Sequence, residues 1–307
     1  MSGAMHARVP AIAAALVFAA LWGGSTYYLF ANGNEDWFTA ILIMAIFGLG
    51  LSGLAWLLTR GAGAPAIEVK RPALESGAVL IYIGLVYAIL FLGFGMNWAR
   101  SIDEPQTQEV AVLALKLVAH VVLPALLLVA LGARLAPLVQ AGLSGRKFWR
   151  TLIVLGAIIL ALLCVVSPSL RDIAASGAGP DVLAWVAPAT FIWLSIEAGL
   201  CEEFLFRAVL QTRISAFFRS GVAGVFVTSI LFGIAHAPGL FFRGGPDVDG
   251  WSTDPLQVIA YTIAVLAPMG LLFGLIYART KSLLLVVLLH GAVDVLPNMN
   301  EFIRIWA

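Results

Sequence analysis

The sequence predicts an all-α polytopic membrane protein of about nine transmembrane helices, and three observations carry that expectation. Hydrophobic residues make up 61% of the 307 and charged residues only 11%, against roughly a quarter charged in an ordinary soluble domain. The apolar residues are gathered into runs long enough, or nearly so, to cross ~30 Å of hydrocarbon, and mean hydropathy is +0.99. Basic and acidic residues alternate from one gap between runs to the next, as they do when short loops fall on opposite faces of a membrane.

The runs can be taken in order. The first, near 10–31, has little positive charge before it and is longer than the apolar core of a cleaved signal, so it is read as a retained helix. Runs near 38–59 and 77–98 follow, separated by a linker from Gly61 to Ser76 that contains Gly63, Pro65 and Pro72. The fourth, near 110–132, carries Lys116 and His120 one turn apart on one face. The fifth, near 149–167, starts from Arg146-Lys147-Phe148-Trp149-Arg150, a basic and aromatic anchor suited to anionic headgroups. The sixth, near 182–205, runs through Cys201-Glu202-Glu203-Phe204, and the seventh, near 220–240, ends close to His236. The eighth, near 257–278, has Gly270 and Gly274 four apart, a face on which backbones approach closely. The ninth, near 282–296, is short and holds His290 and Asp294.

Composition also excludes classes of function. Net charge is +1, which gives no electrostatic case for nucleic acid, and no polar stretch exceeds about twenty residues, so no soluble domain is hidden between the runs. Arg8, Arg60, Lys70, Arg71, Arg134, Arg146, Lys147, Arg150, Arg213, Arg219, Arg279 and Lys281 fall on one side of the map. The other side collects Glu35, Asp36, Asp103, Glu104, Asp247, Asp249 and Asp254 with only Arg100, Arg171, Arg243 and Arg304. The amino terminus is therefore expected in the cytoplasm and the carboxyl terminus outside. The loop from Gly239 to Leu256 follows His236 and is a possible cap over a cavity.

Ionisable residues are concentrated in the last four runs, where a charge at bilayer depth costs roughly 2.5 kcal/mol or more and calls for a partner. Glu203 and Arg207 are four apart and can pair along one helix face, whereas Glu202 is turned about 100° away with Phe206 as its four-residue neighbour. Glu203 is thus the paired carboxylate and Glu202 the one left for chemistry. His236, in Phe232-Gly233-Ile234-Ala235-His236, and His290, with Asp294 one turn on, add two imidazoles from two further helices. Depth is a check on this grouping. At ~1.5 Å per residue, Glu202 lies roughly 16 Å from Arg213 and His290 roughly 13 Å from Lys281, but His236 lies roughly 25 Å from Arg219, about 10 Å too far out.

Glu202-Glu203-x-x-x-Arg207, Phe232-x-x-x-His236 and His290-x-x-x-Asp294, in that order, resemble the CPBP intramembrane proteases, which include the type II CAAX prenyl endopeptidases and the lysostaphin-resistance and abortive-infection-like proteins. The resemblance covers about residues 182–298. It implies that Glu202 activates water with His236 assisting, and that His290 and the residue four later steady an oxyanion. The family often has Asn there; an ionised Asp294 cannot donate a hydrogen bond, and is expected to orient His290 or to be protonated. Glu203, Arg207 and Phe232 are expected to support these groups.

The expectations are then an intramembrane endopeptidase acting on membrane-embedded or membrane-proximal peptides, with residues 1–181 as structural or accessory helices and 182–307 as the catalytic bundle. A bacterial inner membrane is the expected location, and the mouth nearest Glu202 and His290 is expected on the cytoplasmic side. No cofactor is firmly implied. Zinc is conceivable, with Glu202, His236 and His290 as its ligands, although the His-Glu-x-x-His string of zinc proteases does not occur. The Gly-x-Gly-Asp of the aspartyl type is likewise missing, and the rhomboid-like Gly142-Leu143-Ser144-Gly145 falls in a basic loop. Two other classes stay open: a proton- or ion-coupled transporter, which would account for Lys116 and His120, and a non-catalytic binding or immunity scaffold of the same fold.

Overall fold

The computed structural model describes residues 2–246 and 248–307, with the side chains of residues 2–7 and of Leu90 left aside; Asp247, counted above among the acidic loop residues, lies outside the described residues. Among the described residues the chain is all-helical, and nine helices are long and apolar enough to cross a membrane. They are α1 (Arg8–Ala31), α2 (Asp36–Leu58), α3 (Pro72–Arg100), α4 (Pro105–Ala130), α5 (Gly145–Val166), α6 (Pro180–Phe217), α7 (Gly221–Arg243), α8 (Pro255–Thr280) and α9 (Leu283–Trp306). Two short helices, Ala136–Val139 and Ser169–Ala175, lie in the connections flanking α5. The chain is an integral membrane protein.

The nine predicted runs are the nine helices, and the largest difference is at the end of α6. This helix runs twelve residues past the predicted end at 205, to Phe217. Arg207, Gln211 and Arg213 interrupt the apolar run, yet all three are fully buried because each finds a partner inside the bundle. Arg207 donates to Glu203, Gln211 Nε2 donates to the Gly274 carbonyl at 2.9 Å, and Arg213 pairs with Glu75 of α3 at 3.4 Å. Arg213 is therefore no marker of the cytoplasmic surface. Measured instead from the tight turn around Arg219, whose φ is 51°, Glu202 and His236 each lie seventeen residues away along antiparallel helices. With that reference the depth mismatch between Glu202 and His236 is removed, while His290 is still nine residues from Lys281.

α9 is 24 residues long rather than short. Its polar end is held by an aromatic cluster in which Trp306 lies 5.5 Å from Trp193 of α6 and 5.9 Å from Phe302. Hydrogen bonds tie the two ends of the bundle. At the basic end Arg279 Nε donates to Thr59 Oγ1 at 2.7 Å and the Gly142 amide to the Thr280 carbonyl at 2.7 Å. At the opposite end Tyr28 donates to Asp254 at 2.8 Å and Arg243 Nη1 to the Leu92 carbonyl at 2.6 Å. The start of the expected cap, Gly239 to Arg243, is helical and belongs to α7.

Close approach of α8 and α9 to their neighbours depends on glycines. A Cβ on Gly270 would stand 3.0 Å from Ser229 Cα of α7, and one on Gly274 would stand 3.0 Å from Gln211 Oε1 of α6. The four-residue spacing of Gly270 and Gly274 does mark a packing face, as expected. Gly291 of α9 admits Ser195 of α6, whose Oγ would be 2.2 Å from an added Cβ, and Gly199 of α6 lies against the Val287 backbone carbonyl of α9. This double approach brings Glu203 and His290 within bonding distance.

Candidate active site

Glu203 and Arg207 are wholly buried and joined on α6, with Arg207 Nε donating to Glu203 Oε2 at 2.9 Å. The guanidinium also lies over the Phe232 ring, 4.7 Å from its centroid. Glu203 has a second partner that spacing within one helix could not disclose: its Oε1 is 2.8 Å from His290 Nδ1. A carboxylate that takes one N–H from Arg207 and another from the imidazole fixes the His290 ring by its Nδ1. Asp294, expected to orient that histidine or to be protonated, has its Oδ2 beside the other ring nitrogen, 3.4 Å from Nε2.

Glu202, on the next face of α6, points to both histidines. Its Oε2 is 3.5 Å from His236 Nε2 and 3.8 Å from His290 Nε2, and its side chain is 15% exposed. His236 Nδ1 is 2.7 Å from the Phe232 carbonyl. A carbonyl only accepts, so this nitrogen carries the proton and the Nε2 of a neutral His236 presents a lone pair toward Glu202. Phe232 packs between the functional rings, 4.7 Å from His236 and 6.4 Å from His290, while Phe273 stacks on His290 at 5.0 Å, inclined by 3°. All four residues expected at the centre, Glu202, His236, His290 and Asp294, are brought together from three helices.

Glu202 and His236 lie in the wall of a cavity of about 930 Å³, a volume within the ordinary range for binding sites. Part of its lining comes from α3 and α4, outside the helices that carry the double glutamate and the two histidines. Tyr87 and Phe91 of α3 and Lys116 and His120 of α4 contribute, and Glu197 of α6 joins them. Lys116 and His120 were visible as an unexplained pair on one helix face, but nothing in the sequence tied them to Glu202. Glu197, another ionisable residue of the sixth run, is not tied to Glu202 by α-helical geometry, which puts residues five apart about 140° apart. Ser195–Leu200 is wound as a π-helix, bonded i to i+5, and so turns Glu197 toward the side of Glu202.

Arg100, Gln108, Asp249 and Glu301 also line the cavity, and all four belong to the end of the bundle opposite the basic loops. The mouth therefore lies at the end predicted to face outside, and the expectation of a cytoplasmic mouth is corrected. It had assumed that Glu202 was reached by the shortest path from Arg213, which is buried. Among the described residues no group of three or more His, Cys, Asp or Glu is arranged to hold a metal ion. No step below runs through a metal.

No curated protein and no solved structure matches the chain. A family model does match, that of Type II CAAX prenyl endopeptidase Rce1-like, over residues 183–296. That stretch holds Glu202, Glu203, Arg207, Phe232, His236, His290 and Asp294, and it excludes Lys116 and His120. Residues 183–296 thus match the family that the double glutamate and the two histidine motifs resemble.

Proposed function

We propose that the protein is an intramembrane endopeptidase that hydrolyses peptide bonds of membrane-associated substrates, with Glu202 and His236 activating water and His290 stabilising the oxyanion. The observation that carries this reading is the facing of two acceptors. An ionised Glu202 and the unprotonated Nε2 of His236, 3.5 Å apart, cannot bond to each other. A water giving one hydrogen to each satisfies both, and its oxygen lone pairs then point away toward a substrate carbonyl.

Peptide hydrolysis needs a base, a donor at the developing oxyanion and a proton for the leaving amine. Glu202 takes the proton of the attacking water as the C–O bond forms. His290, protonated, donates from Nε2 to the oxyanion, while its Nδ1–H stays on Glu203. Collapse of the tetrahedral intermediate breaks the C–N bond, and the proton gained by Glu202 passes to the amine directly or through His236. Glu203 and Arg207 hold His290 in place, and Phe232 sets the ring of His236. Asp294, near His290 Nε2, balances the imidazolium charge.

On this reading residues 182–307 are the catalytic bundle, and the amino terminus is cytoplasmic in a bacterial inner membrane. Substrates enter from the end bearing Arg100, Asp249 and Glu301. Transport loses its main support, since Lys116 is matched by Glu197 at 2.8 Å. The test is mass-spectrometric detection of cleavage in a panel of membrane-proximal peptides by the purified protein, with and without a chelator, beside a folded His290→Ala variant. Cleavage that resists the chelator and is lost in the variant is expected. Cleavage abolished by the chelator and restored by zinc would replace the metal-independent mechanism, and uptake into proteoliposomes without any cleavage would favour the transporter.

A further inference from the structure

Lys116 and Glu197 take no part in the chemistry above, yet they share its cavity. Lys116 Nζ lies 2.8 Å from Glu197 Oε1, and the two side chains remain 19% and 15% exposed. The pair thus faces the open cavity, where its remaining donors and acceptor can be reached by a ligand. The wall behind it is stiff. The His120 ring meets Tyr87 and Phe91 edge-on at 4.9 and 5.1 Å, and its Nδ1 is 2.9 Å from the Lys116 carbonyl. On the opposite partner, the π-wound turn places Glu197 five residues before Glu202 on the same cavity.

A helical membrane segment has its amide groups occupied along its own backbone, and it must unwind before a base can reach a carbonyl. Each unwound amide then carries an N–H and a C=O that hydrocarbon cannot satisfy. The Lys116–Glu197 pair offers one group for each. Among the described residues the ammonium gives one of its three donors to protein, and Glu197 accepts on Oε1 with Oε2 still able to accept.

We propose that Lys116 and Glu197 form a backbone-binding subsite for the unwound peptide, Lys116 donating to a substrate carbonyl and Glu197 accepting from a neighbouring amide N–H. The subsite holds the chain beside Glu202, and α4, outside the family-matched stretch, becomes part of the active site. The identity of the ligand as a peptide rests on the endopeptidase reading.

Binding and cleavage are measured separately so that the two ideas can fail independently. A panel of fluorescent apolar peptides is titrated into the full chain carrying Glu202→Gln, which removes the proposed base. The best-bound peptide is then remade with each amide N–H in turn methylated. One position is expected to weaken binding about tenfold or more, the loss of one hydrogen bond to a charged group. Adding Lys116→Met and Glu197→Leu should shrink that penalty to less than about twofold, whereas a purely structural pair would leave it unchanged. Glu197→Gln, which preserves volume, should shrink it too and serves if the double variant does not fold. An undiminished penalty at every position, or no binding of any peptide, overturns the subsite. Peptides bound but never cut by the parent protein would overturn the endopeptidase and leave the subsite standing.

Discussion

Replacing Arg207 by Met removes one member of an ion pair in which neither side chain is exposed. Breaking a buried pair from one side costs about 3–5 kcal/mol, because the remaining charge has lost its counter-charge. Two features of this site put the expectation at the lower end. Glu203 keeps the Nδ1–H of His290, and the substitution also removes Arg207 Nη1 and Nη2, which are buried without hydrogen-bond partners and each cost about 1 kcal/mol or more. A loss of about 3 kcal/mol is predicted, roughly a hundredfold in the folding equilibrium and a fall of roughly 6 °C in Tm. Thermal unfolding in detergent measures it, and adding Glu203→Gln should recover more than half of the loss. A single variant within about 1 kcal/mol of the parent would refute the view that Arg207 neutralises Glu203.

Other perturbations probe the packing that builds the site. Gly199→Ala places a Cβ 2.5 Å from the Val287 backbone carbonyl, which cannot rotate away. It should cost about 1–3 kcal/mol and lower kcat at least tenfold by separating Glu203 from His290, so wild-type turnover would refute the close-approach argument. Glu75→Ala leaves Arg213 buried and unpaired and should destabilise by about 3 kcal/mol or more, as read by urea or thermal unfolding. A neutral effect would mean that α3 and α6 are not coupled through this pair. If the mouth is as described, a cysteine at Asp249 should react with an impermeant maleimide added outside intact cells, and one at Lys281 should react only after lysis. The reverse pattern would invert the orientation.

The fold was legible because hydrophobic runs and loop charge are one-dimensional signals. Nine runs gave nine helices, and the errors sit where polar residues are buried by partners distant in sequence. Arg213 looked like a surface arginine until Glu75, 138 positions away, was seen beside it. Within the site, the Glu203–Arg207 pair and the separate bearing of Glu202 followed from helical spacing. The Glu203–His290 bond did not, because it depends on the approach of α6 to α9 at Gly199 and Gly291. The sharing of one cavity by Glu197 and Glu202 did not follow from α geometry, because the turn between them is π-wound. Lys116 was noticed and left unassigned because its partner lies 81 residues away on another helix.

The central claim is that the Glu202 carboxylate activates the hydrolytic water. Its most direct test is the single-turnover cleavage rate of Glu202→Gln, a substitution that keeps the shape of the side chain and removes its basicity, measured beside a thermal melt. A fall of about 10²–10⁴-fold with Tm within a few degrees of the parent is the predicted result. A folded Glu202→Gln protein that cleaves at the parent rate would contradict the account.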